Sequence, residues 1–124
     1  MDGDVAADGA ARGDALAAVA RHLDAVRAGD VDAMAADYAP DAVIVRGDQR
    51  IAGRDAIRDY FAGVAGRLAG GRVTFGPPGR DGDRVAFGWR IDGGPAHGTS
   101  GTDTCLVRGG RIVEQVVALD GADF

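Results

Sequence analysis

The sequence GTDTCLVRGGRIVEQVVALD, residues 101–120, decides the fold. It contains two runs rich in apolar and β-branched residues, separated by Gly109-Gly110. Both central residues of a tight hairpin turn need a positive φ, which glycine adopts without steric cost. The stretch therefore predicts an antiparallel hairpin, in which Asp103 of the first strand pairs approximately with Val116 of the second.

The second strand of this hairpin is apolar on both faces. Its residues fall into two alternating sets, which are Ile112, Val116 and Ala118 on one face and Val113, Val117 and Leu119 on the other. One face covers the helices, so the second apolar face predicts a homodimer formed through the sheet. The alternative is that the C-terminal tail or another helix covers this face.

The segment before the hairpin also has the two-residue period of a strand. Its apolar residues alternate with small or polar ones and are Val85, Phe87, Trp89 and Ile91. Val73 and Phe75 lie before the turn-rich sequence GPPGRDGD (76–83), and the flexible loop GGPAHGTSG (93–101) leads into the hairpin. The C-terminal half therefore predicts three or four antiparallel strands.

The N-terminal half has helical periodicity instead. A first helix begins at Asp14 and has an apolar stripe formed by Leu16, Val19, Ala20, Leu23 and Val26. Gly29 suits its C-terminal end, and Asp30 is typical of the N-cap of a second helix. The second helix ends at Pro40 and buries four residues, Val31, Met34, Ala35 and Tyr38.

A short strand, residues 42–46, and a third helix complete the pattern. The third helix lies between Gly53 and Gly70-Gly71, with a stripe of Ile57, Tyr60, Phe61, Val64 and Leu68. Helices followed by strands indicate an α+β fold, with three N-terminal helices packed on a curled, mostly antiparallel sheet.

Residues 1–13 contain too little apolar surface to order and predict a disordered acidic tail. Residues 14–124 predict a single domain.

Composition excludes several classes of function. The 124 residues contain 14 basic and 19 acidic side chains, for a formal charge of −5, whereas nucleic-acid binding needs a cationic face. One cysteine, Cys105, forms no disulfide framework, and two distant histidines predict neither a metal site nor a cofactor. No apolar run could span a membrane, and the acidic N-terminus is no secretory signal, so a cytoplasmic location is expected.

Three segments together resemble one known family. They are AGDVDAMAADYAPDAVIVRG (28–47), IAGRDAIRDYF (51–61) and the hairpin sequence (101–120). In order and spacing they resemble the SnoaL-like branch of the nuclear-transport-factor-2-like superfamily, which includes polyketide cyclases and ketosteroid isomerases. The resemblance implies a cone-shaped α+β barrel whose mouth holds a small apolar ligand. It defines the fold well and the function poorly.

Asp103 is the strongest candidate for a catalytic residue. Strand alternation places it on an apolar face with Cys105 and Val116, where desolvation favours the neutral acid and raises the pKa of a carboxyl group. The resemblance implies an acid–base role, as in the cyclases, or a protonated donor to an oxyanion, as in the ketosteroid isomerases. The alternative is an edge-strand aspartate that faces water. Cys105 is expected to be an inert apolar residue.

His22 and Arg46 are further candidates. By resemblance, His22 lies where ketosteroid isomerases have a tyrosine that hydrogen-bonds the substrate oxygen, and a histidine there could donate a hydrogen bond or carry a proton. The alternative, which is the more common case, is a partly exposed helix histidine. Arg46 lies where those enzymes have their carboxylate base, so steroid isomerisation by that mechanism is not expected. Arg46 could bind a ligand anion or pair with Asp103 or Asp41, but a solvated strand-end arginine is favoured.

Five more side chains complete the predicted site, and the first of them is Val116, which shares the face of Asp103 and is expected to contact the ligand. Tyr38, Tyr60 and Trp89 lie on apolar stripes, where they either fill the core or turn their polar atoms to the ligand. His97 lies in the glycine-rich loop, where it either closes over the site or remains at the surface. Two functions follow: cofactor-free acid–base isomerisation or cyclisation of an apolar, polyketide- or terpenoid-like carbonyl compound, or a non-catalytic ligand-binding or dimerisation module.

Overall fold

Three helices and seven strands form in the part of the chain that a computed structural model describes, which is the backbone of residues 2–121 and the side chains of residues 15–121. The elements follow the chain in this order: α1 (Asp2–Ala28), α2 (Val31–Ala36), β1 (Tyr38–Arg46), β2 (Gln49–Ala52), α3 (Arg54–Leu68), β3 (Arg72–Phe75), β4 (Gly79–Asp81), β5 (Arg84–Asp92), β6 (Ser100–Arg108) and β7 (Arg111–Leu119).

The helices pack on one curled sheet, which confirms the α+β class. The strand order is β2-β1-β7-β6-β5-β3, and the short β4 also pairs with β5. All pairs are antiparallel except β1 with β7, which is parallel, so the sheet is mixed. Only α1 and α2 precede the first strand; α3 follows β1 and β2 and is not N-terminal to the whole sheet.

Helix α1 differs from its prediction at its start. Its backbone is helical from Asp2, whereas the sequence predicts a disordered tail over residues 1–13 and a helix from Asp14. The alanines before Asp14 have high helix propensity and can extend a helix that tertiary packing has nucleated downstream. Met1 and residues 122–124 lie outside the described residues.

The buried face of α1 is rotated relative to the predicted stripe. Leu16 is 36% exposed and Ala20 is also exposed. The residues that enter the core are Ala15, Ala18, Val19, His22, Leu23 and Ala25. His22 therefore lies on the buried face of α1.

Helix α2 is shorter than predicted. Asp30 caps it as expected, because its carboxylate accepts a hydrogen bond from the Ala33 amide at 3.1 Å. The helix ends at Ala36, however, and Tyr38 begins β1 as a fully buried strand residue. Pro40 lies within β1, where the pairing with β7 is irregular between Tyr38 and Val43 and a missing amide donor disrupts no regular ladder.

The β6–β7 hairpin contains a β-bulge that the sequence pattern does not reveal. Arg108 pairs with Arg111 and Val107 with Ile112, as Gly109-Gly110 predicts, but Leu106 pairs with Glu114. One extra residue of β7, Val113, therefore lies opposite this step. From there on the register differs by one residue from the prediction, and such a shift exchanges the two faces of a strand.

The corrected register changes which β7 residues face the core. Asp103 pairs with Val117 and not with Val116. Gln115 and Val117 are buried at 3% and 8% exposure, whereas Val116 is 40% exposed on the opposite, outer face.

Within the described residues, no helix combines the length and apolarity needed to cross a membrane.

Candidate functional site

A small cavity lies between helices α1 and α3 and the inner face of the sheet. Its volume is about 70 Å³. Most of its wall is apolar and comes from Leu23, Val26, Phe61, Val64, Leu68, Val73, Phe75, Phe87, Ile91 and Val117. The side chains that add polar atoms are His22, Tyr60, Trp89, Asp103 and Gln115. An apolar cavity with a few convergent polar groups is typical of a small-molecule site.

Asp103 provides the carboxyl group of this cavity. It lies in the middle of β6, opposite Phe87 of β5, and is 8% exposed. Trp89 donates its indole N–H to Oδ1 at 2.8 Å, and Gln115 donates its amide to Oδ2 at 2.7 Å. Both carboxyl oxygens therefore have a donor from the sheet.

Burial controls the ionisation of Asp103. Desolvation raises the pKa of this carboxyl group above its usual value, and it outweighs the hydrogen bonds from Trp89 and Gln115. The nearby charges of His22 and Arg46 also act to lower the pKa, but the net direction remains upward. A carboxyl group with a raised pKa is a stronger base than a surface aspartate and a usable acid closer to neutral pH.

Gln115 is a site residue that the sequence pattern does not predict. Its position follows directly from the bulge, because the unbulged register places Gln115 on the outer face and Val116 beside Asp103. The predicted placement of Val116 at the ligand site is therefore wrong. The signal in the sequence is weak: Gln115 is the one amide side chain in an otherwise apolar or charged strand.

His22 lines the cavity, as predicted, but neither ring nitrogen faces the ligand space. Nε2 lies 3.3 Å from the Tyr38 hydroxyl, and Nδ1 lies 3.6 Å from Oδ2 of Asp37. The ring is 2% exposed and packs edge-on against Tyr38 and Phe61. Direct donation from His22 to a ligand is not supported by this geometry.

Asp37 is a buried carboxylate on the side of His22 away from Tyr38. It accepts a hydrogen bond from Nε of Arg21 at 2.7 Å, and it is 4% exposed. Burial opposes ionisation, but two interactions outweigh it and hold the pKa of Asp37 below its usual value: the approach of His22, whose Nδ1 lies 3.6 Å from Oδ2, and the hydrogen bond from Arg21. Asp37 is therefore an anion next to the histidine ring.

Tyr38 lies behind the cavity wall and not on it. Its hydroxyl donates to Oε1 of Gln115, and its ring is completely buried. Burial raises the pKa of this phenol well above its usual value, so it is a neutral hydrogen-bonding group. Tyr38 contributes to the site through Gln115.

Tyr60 and Arg46 form the second polar group of the site. Arg46 is 6% exposed, so the interpretation as a solvated arginine is wrong. The guanidinium donates from Nη1 to the Tyr60 hydroxyl at 3.2 Å and lies 6.0 Å from the ring centroid. Arg46 does not belong to the cavity wall, whereas Tyr60 does. Burial raises the pKa of Tyr60 and Arg46 opposes the shift.

Two further predicted residues differ in their placement. Trp89 lines the cavity and hydrogen-bonds Asp103, so it is more than a core side chain. His97 is exposed in the loop after β5, where its Nδ1 accepts the Gly93 amide at 2.7 Å, and it does not line the cavity. Cys105 is fully buried, and burial raises the pKa of its thiol, as expected for an inert residue.

The cavity adjoins a wider groove. The two share an apolar rim that consists of Val26, Val64, Leu68, Val73 and Phe75. The groove has a volume of about 770 Å³ and continues along the C-terminal end of α3 and β3, where Arg27 and Arg72 also line it. The Arg27 guanidinium lies 5.0 Å above the Phe75 ring.

No cluster of potential metal ligands occurs among the described residues.

Comparison with known proteins gives one family and one curated relative. The SnoaL-like domain matches residues 19–115. The "Steroid Delta-isomerase" of Nocardioides simplex is 48% identical over 60 residues, which are 47% of this chain and 46% of the relative. The match thus spans about half the length of that relative.

Solved structures share the fold. A candidate polyketide cyclase from Sinorhizobium meliloti superposes with a TM-score of 0.69 and 26% identity, over 81% of this chain and 92% of that protein. An NTF2-like protein of unknown function from Mesorhizobium loti superposes with a TM-score of 0.79 and 24% identity, over 89% and 93% of the two chains.

Proposed function

The chain belongs to the SnoaL-like domain family, and we propose that it is a cofactor-free isomerase or cyclase in which Asp103 transfers a proton within a carbonyl compound. One observation carries the proposal: a buried carboxyl group of raised pKa faces an apolar cavity. The names of two similar proteins, a steroid isomerase and a candidate polyketide cyclase, support the same reaction class.

In the proposed reaction, Asp103 acts first as a base. Its carboxylate removes a proton from the carbon next to the carbonyl group, and the C–H electron pair forms an enolate. The protonated Asp103 then returns the proton to another carbon, which restores the carbonyl group and the carboxylate. The hydrogen bonds from Trp89 and Gln115 orient the carboxylate for both steps.

Tyr60 is the proposed donor to the enolate oxygen. Because its hydroxyl oxygen accepts from Arg46, the hydroxyl hydrogen can be directed into the cavity. The positive charge of Arg46 strengthens this donor without contacting the ligand. Tyr60 thereby takes the role of oxyanion stabilisation that the sequence suggests for His22 or Arg46.

The dimensions of the site restrict the ligand. The cavity of about 70 Å³ holds only a few heavy atoms, whereas drug-sized ligands use sites of roughly 300–1,000 Å³. We infer that the reacting carbonyl end enters the cavity past Val64 and Phe75. The remainder of a polyketide- or terpenoid-like compound would lie in the adjoining groove.

The substitution Asp103→Asn tests the proposal. Wild-type protein is assayed with β,γ-unsaturated ketones of one to three rings, and the conjugated product is followed by ultraviolet absorbance. Asp103→Asn removes the base with little change in shape, so turnover should fall by roughly 100- to 10,000-fold. Asp92→Asn, which changes an exposed carboxylate of β5, is the control and should leave turnover unchanged. Undiminished turnover by Asp103→Asn contradicts the proposal.

A second function is ligand binding without turnover. It is favoured by Arg46, because the resemblance implies a carboxylate base at that position in ketosteroid isomerases, and an arginine accepts no proton near neutral pH. Proton exchange separates the two functions. A ketone that binds the wild-type protein but incorporates no deuterium from D₂O at its α-carbon indicates a binding module.

A further inference from the structure

A continuous chain of buried side chains joins His22 to Asp103. His22 Nε2 lies 3.3 Å from the Tyr38 hydroxyl, which contacts Oε1 of Gln115, and Nε2 of Gln115 lies 2.7 Å from Oδ2 of Asp103. All four residues are at most 8% exposed. The charged groups at the two ends are Asp37, with Arg21 behind it, near His22, and Arg46 near Asp103.

The hydrogens along this chain follow from donor and acceptor chemistry. When the Gln115 amide donates to Asp103, its oxygen accepts from Tyr38, so the single Tyr38 hydrogen is used. The Tyr38 oxygen must then accept from His22, which places a hydrogen on Nε2. Nδ1 faces the Asp37 carboxylate, where a lone pair would be repelled, so this arrangement has His22 protonated on both nitrogens.

The same heavy atoms allow one other arrangement in which every hydrogen bond between Nε2 of His22 and Asp103 is made. If the Gln115 amide turns by a half rotation, its oxygen accepts from a protonated Asp103 and its NH₂ group donates to Tyr38. Tyr38 then donates to Nε2 of His22, and Nδ1 keeps its hydrogen towards Asp37. Relative to the first arrangement, one O–H bond has formed at Asp103 and one N–H bond has been lost at His22. The total number of protons is unchanged.

We propose that Asp103 and His22 share one proton through the Gln115–Tyr38 bridge, and that the free protein holds this proton on His22. Gln115, Tyr38 and His22 are then positioning residues that keep Asp103 as a buried carboxylate without a change in net charge. Asp103 protonated towards Gln115 has no proton directed to the ligand and no free base. The importance of the bridge for catalysis rests on the proposed function, but the sharing of the proton does not.

The ring nitrogens of His22 report on this sharing. The chain has two histidines, so ¹⁵N-labelled imidazole gives two sets of signals, and His97→Gln assigns them. In the wild-type protein at neutral pH, both His22 nitrogens should have the shifts of protonated nitrogens. In Asp103→Asn, Nε2 should move to the shift of an unprotonated nitrogen while Nδ1 stays protonated.

Trp89 makes this expectation specific. Its indole can only donate, so the side-chain oxygen of Asn at position 103 must face Trp89 and the NH₂ group must face Gln115. Gln115 must then present its oxygen to position 103 and its NH₂ group to Tyr38, which fixes the second arrangement. Tyr60→Phe removes a different cavity hydroxyl that is outside the chain of four residues, and it is the control that should leave the His22 shifts unchanged.

A double-mutant cycle tests the bridge itself. In the Gln115→Leu background, Asp103→Asn should no longer change the His22 shifts, because the connection is lost. Tyr38→Phe breaks the same connection by removing one hydroxyl group, and it replaces Gln115→Leu as the background if Gln115→Leu does not fold. Identical His22 shifts in wild type and Asp103→Asn, or an equal change in the bridged and unbridged backgrounds, would overturn the proposal. Turnover of the same variants is measured separately, so loss of coupling and failure of the proposed function are distinguishable.

Discussion

Two buried aspartates in this protein are placed in opposite electrostatic environments. Asp103 has a raised pKa because burial outweighs its hydrogen bonds, whereas Asp37 has a lowered pKa because His22 and Arg21 outweigh burial. The pKa of a group in the folded state determines how its ionisation affects stability. The two residues should therefore have opposite effects on the free energy of unfolding at neutral pH.

Asp103→Asn should stabilise the protein at pH 7. A raised pKa contributes stability only below the unfolded-state pKa, and this contribution is lost as the pH rises through the folded-state value. A neutral amide avoids that loss, so the free energy of unfolding at pH 7 should be higher for the variant than for the wild type. Urea denaturation at pH 7 and at pH 3 measures it, and the difference between variant and wild type should shrink in acid.

Asp37→Asn is the matched comparison and should destabilise the protein at pH 7. A lowered pKa contributes stability above the unfolded-state value, and this stability disappears as the pH falls through the folded-state value. The same urea titrations should therefore show a loss at pH 7 that diminishes at pH 3. A stabilising Asp37→Asn, or a destabilising Asp103→Asn at pH 7, contradicts the assignment of the two environments.

At the scale of the element, strand β6 controls the position of Trp89 through a glycine. A Cβ atom at Gly101 would lie 2.7 Å from Cζ2 of Trp89 and 2.6 Å from the carbonyl oxygen of Ala118. Both distances are shorter than van der Waals contact, and the Ala118 atom belongs to the backbone of the neighbouring β7. A residue larger than glycine here must displace either the indole or the strand.

Gly101→Ala should therefore move the indole away from Asp103 and destabilise the fold by about 1–3 kcal/mol. Trp89 is the only tryptophan, so its fluorescence spectrum reports the displacement directly. Gly66→Ala is the control, because Gly66 lies within α3 and a Cβ atom there meets nothing within 4 Å. This change should stabilise the protein by roughly 0.5–1 kcal/mol without altering the fluorescence. An unchanged fluorescence spectrum for Gly101→Ala would contradict this prediction, because it would show that the strands shift to accommodate the methyl group while the indole stays in place.

The elements with long apolar periodicity are the ones that the sequence predicts correctly. Helix α3 and strands β5, β6 and β7 all occur where their stripes place them. Strand β2 escapes prediction because it has four residues and only Ile51 is buried. The spacing of Tyr38 from Met34 fits a helical stripe, but α2 ends at Ala36 and tertiary burial in the sheet determines the conformation of Tyr38.

The candidate site is predictable in part for the same reason. Asp103 and Trp89 lie within regular alternation, so their faces follow from the pattern. The pattern exchanges Gln115 and Val116, because a bulge adds one residue to a strand without changing the hairpin turn. Arg46 is buried and hydrogen-bonds Tyr60 of another element, α3, and no local spacing in the sequence contains that information.

For the whole molecule, the outer face of the sheet remains the predicted dimer interface. One row across four strands is uncharged and consists of Val45, Val116, Thr104 and Ala86. Val116 is 40% exposed, although it lies at the centre of this row. A second copy of the chain could cover this face and leave the cavity, on the other side of the sheet, accessible.

Val116→Glu tests this interface. If the sheet mediates a homodimer, a buried and unpaired charge should convert it to a monomer in sedimentation velocity experiments. Leu16→Glu is the matched control, because Leu16 is 36% exposed on α1 and lies outside the sheet. A wild-type protein that sediments as a monomer contradicts the prediction, as does a dimer that survives Val116→Glu.

The arrangement of a narrow cavity behind a broad groove has a consequence for selectivity. Val64 and Phe75 belong to the rim that the cavity and the groove share. A compound too long for the cavity would therefore extend across this rim into the groove. Under the proposed function, the leading atoms of such a compound would contact Asp103 and Tyr60, and its tail would lie in the groove beyond the shared apolar rim. Selectivity should therefore depend on the end of the compound that enters the cavity. Larger compounds that share this end should compete with one another for the same cavity.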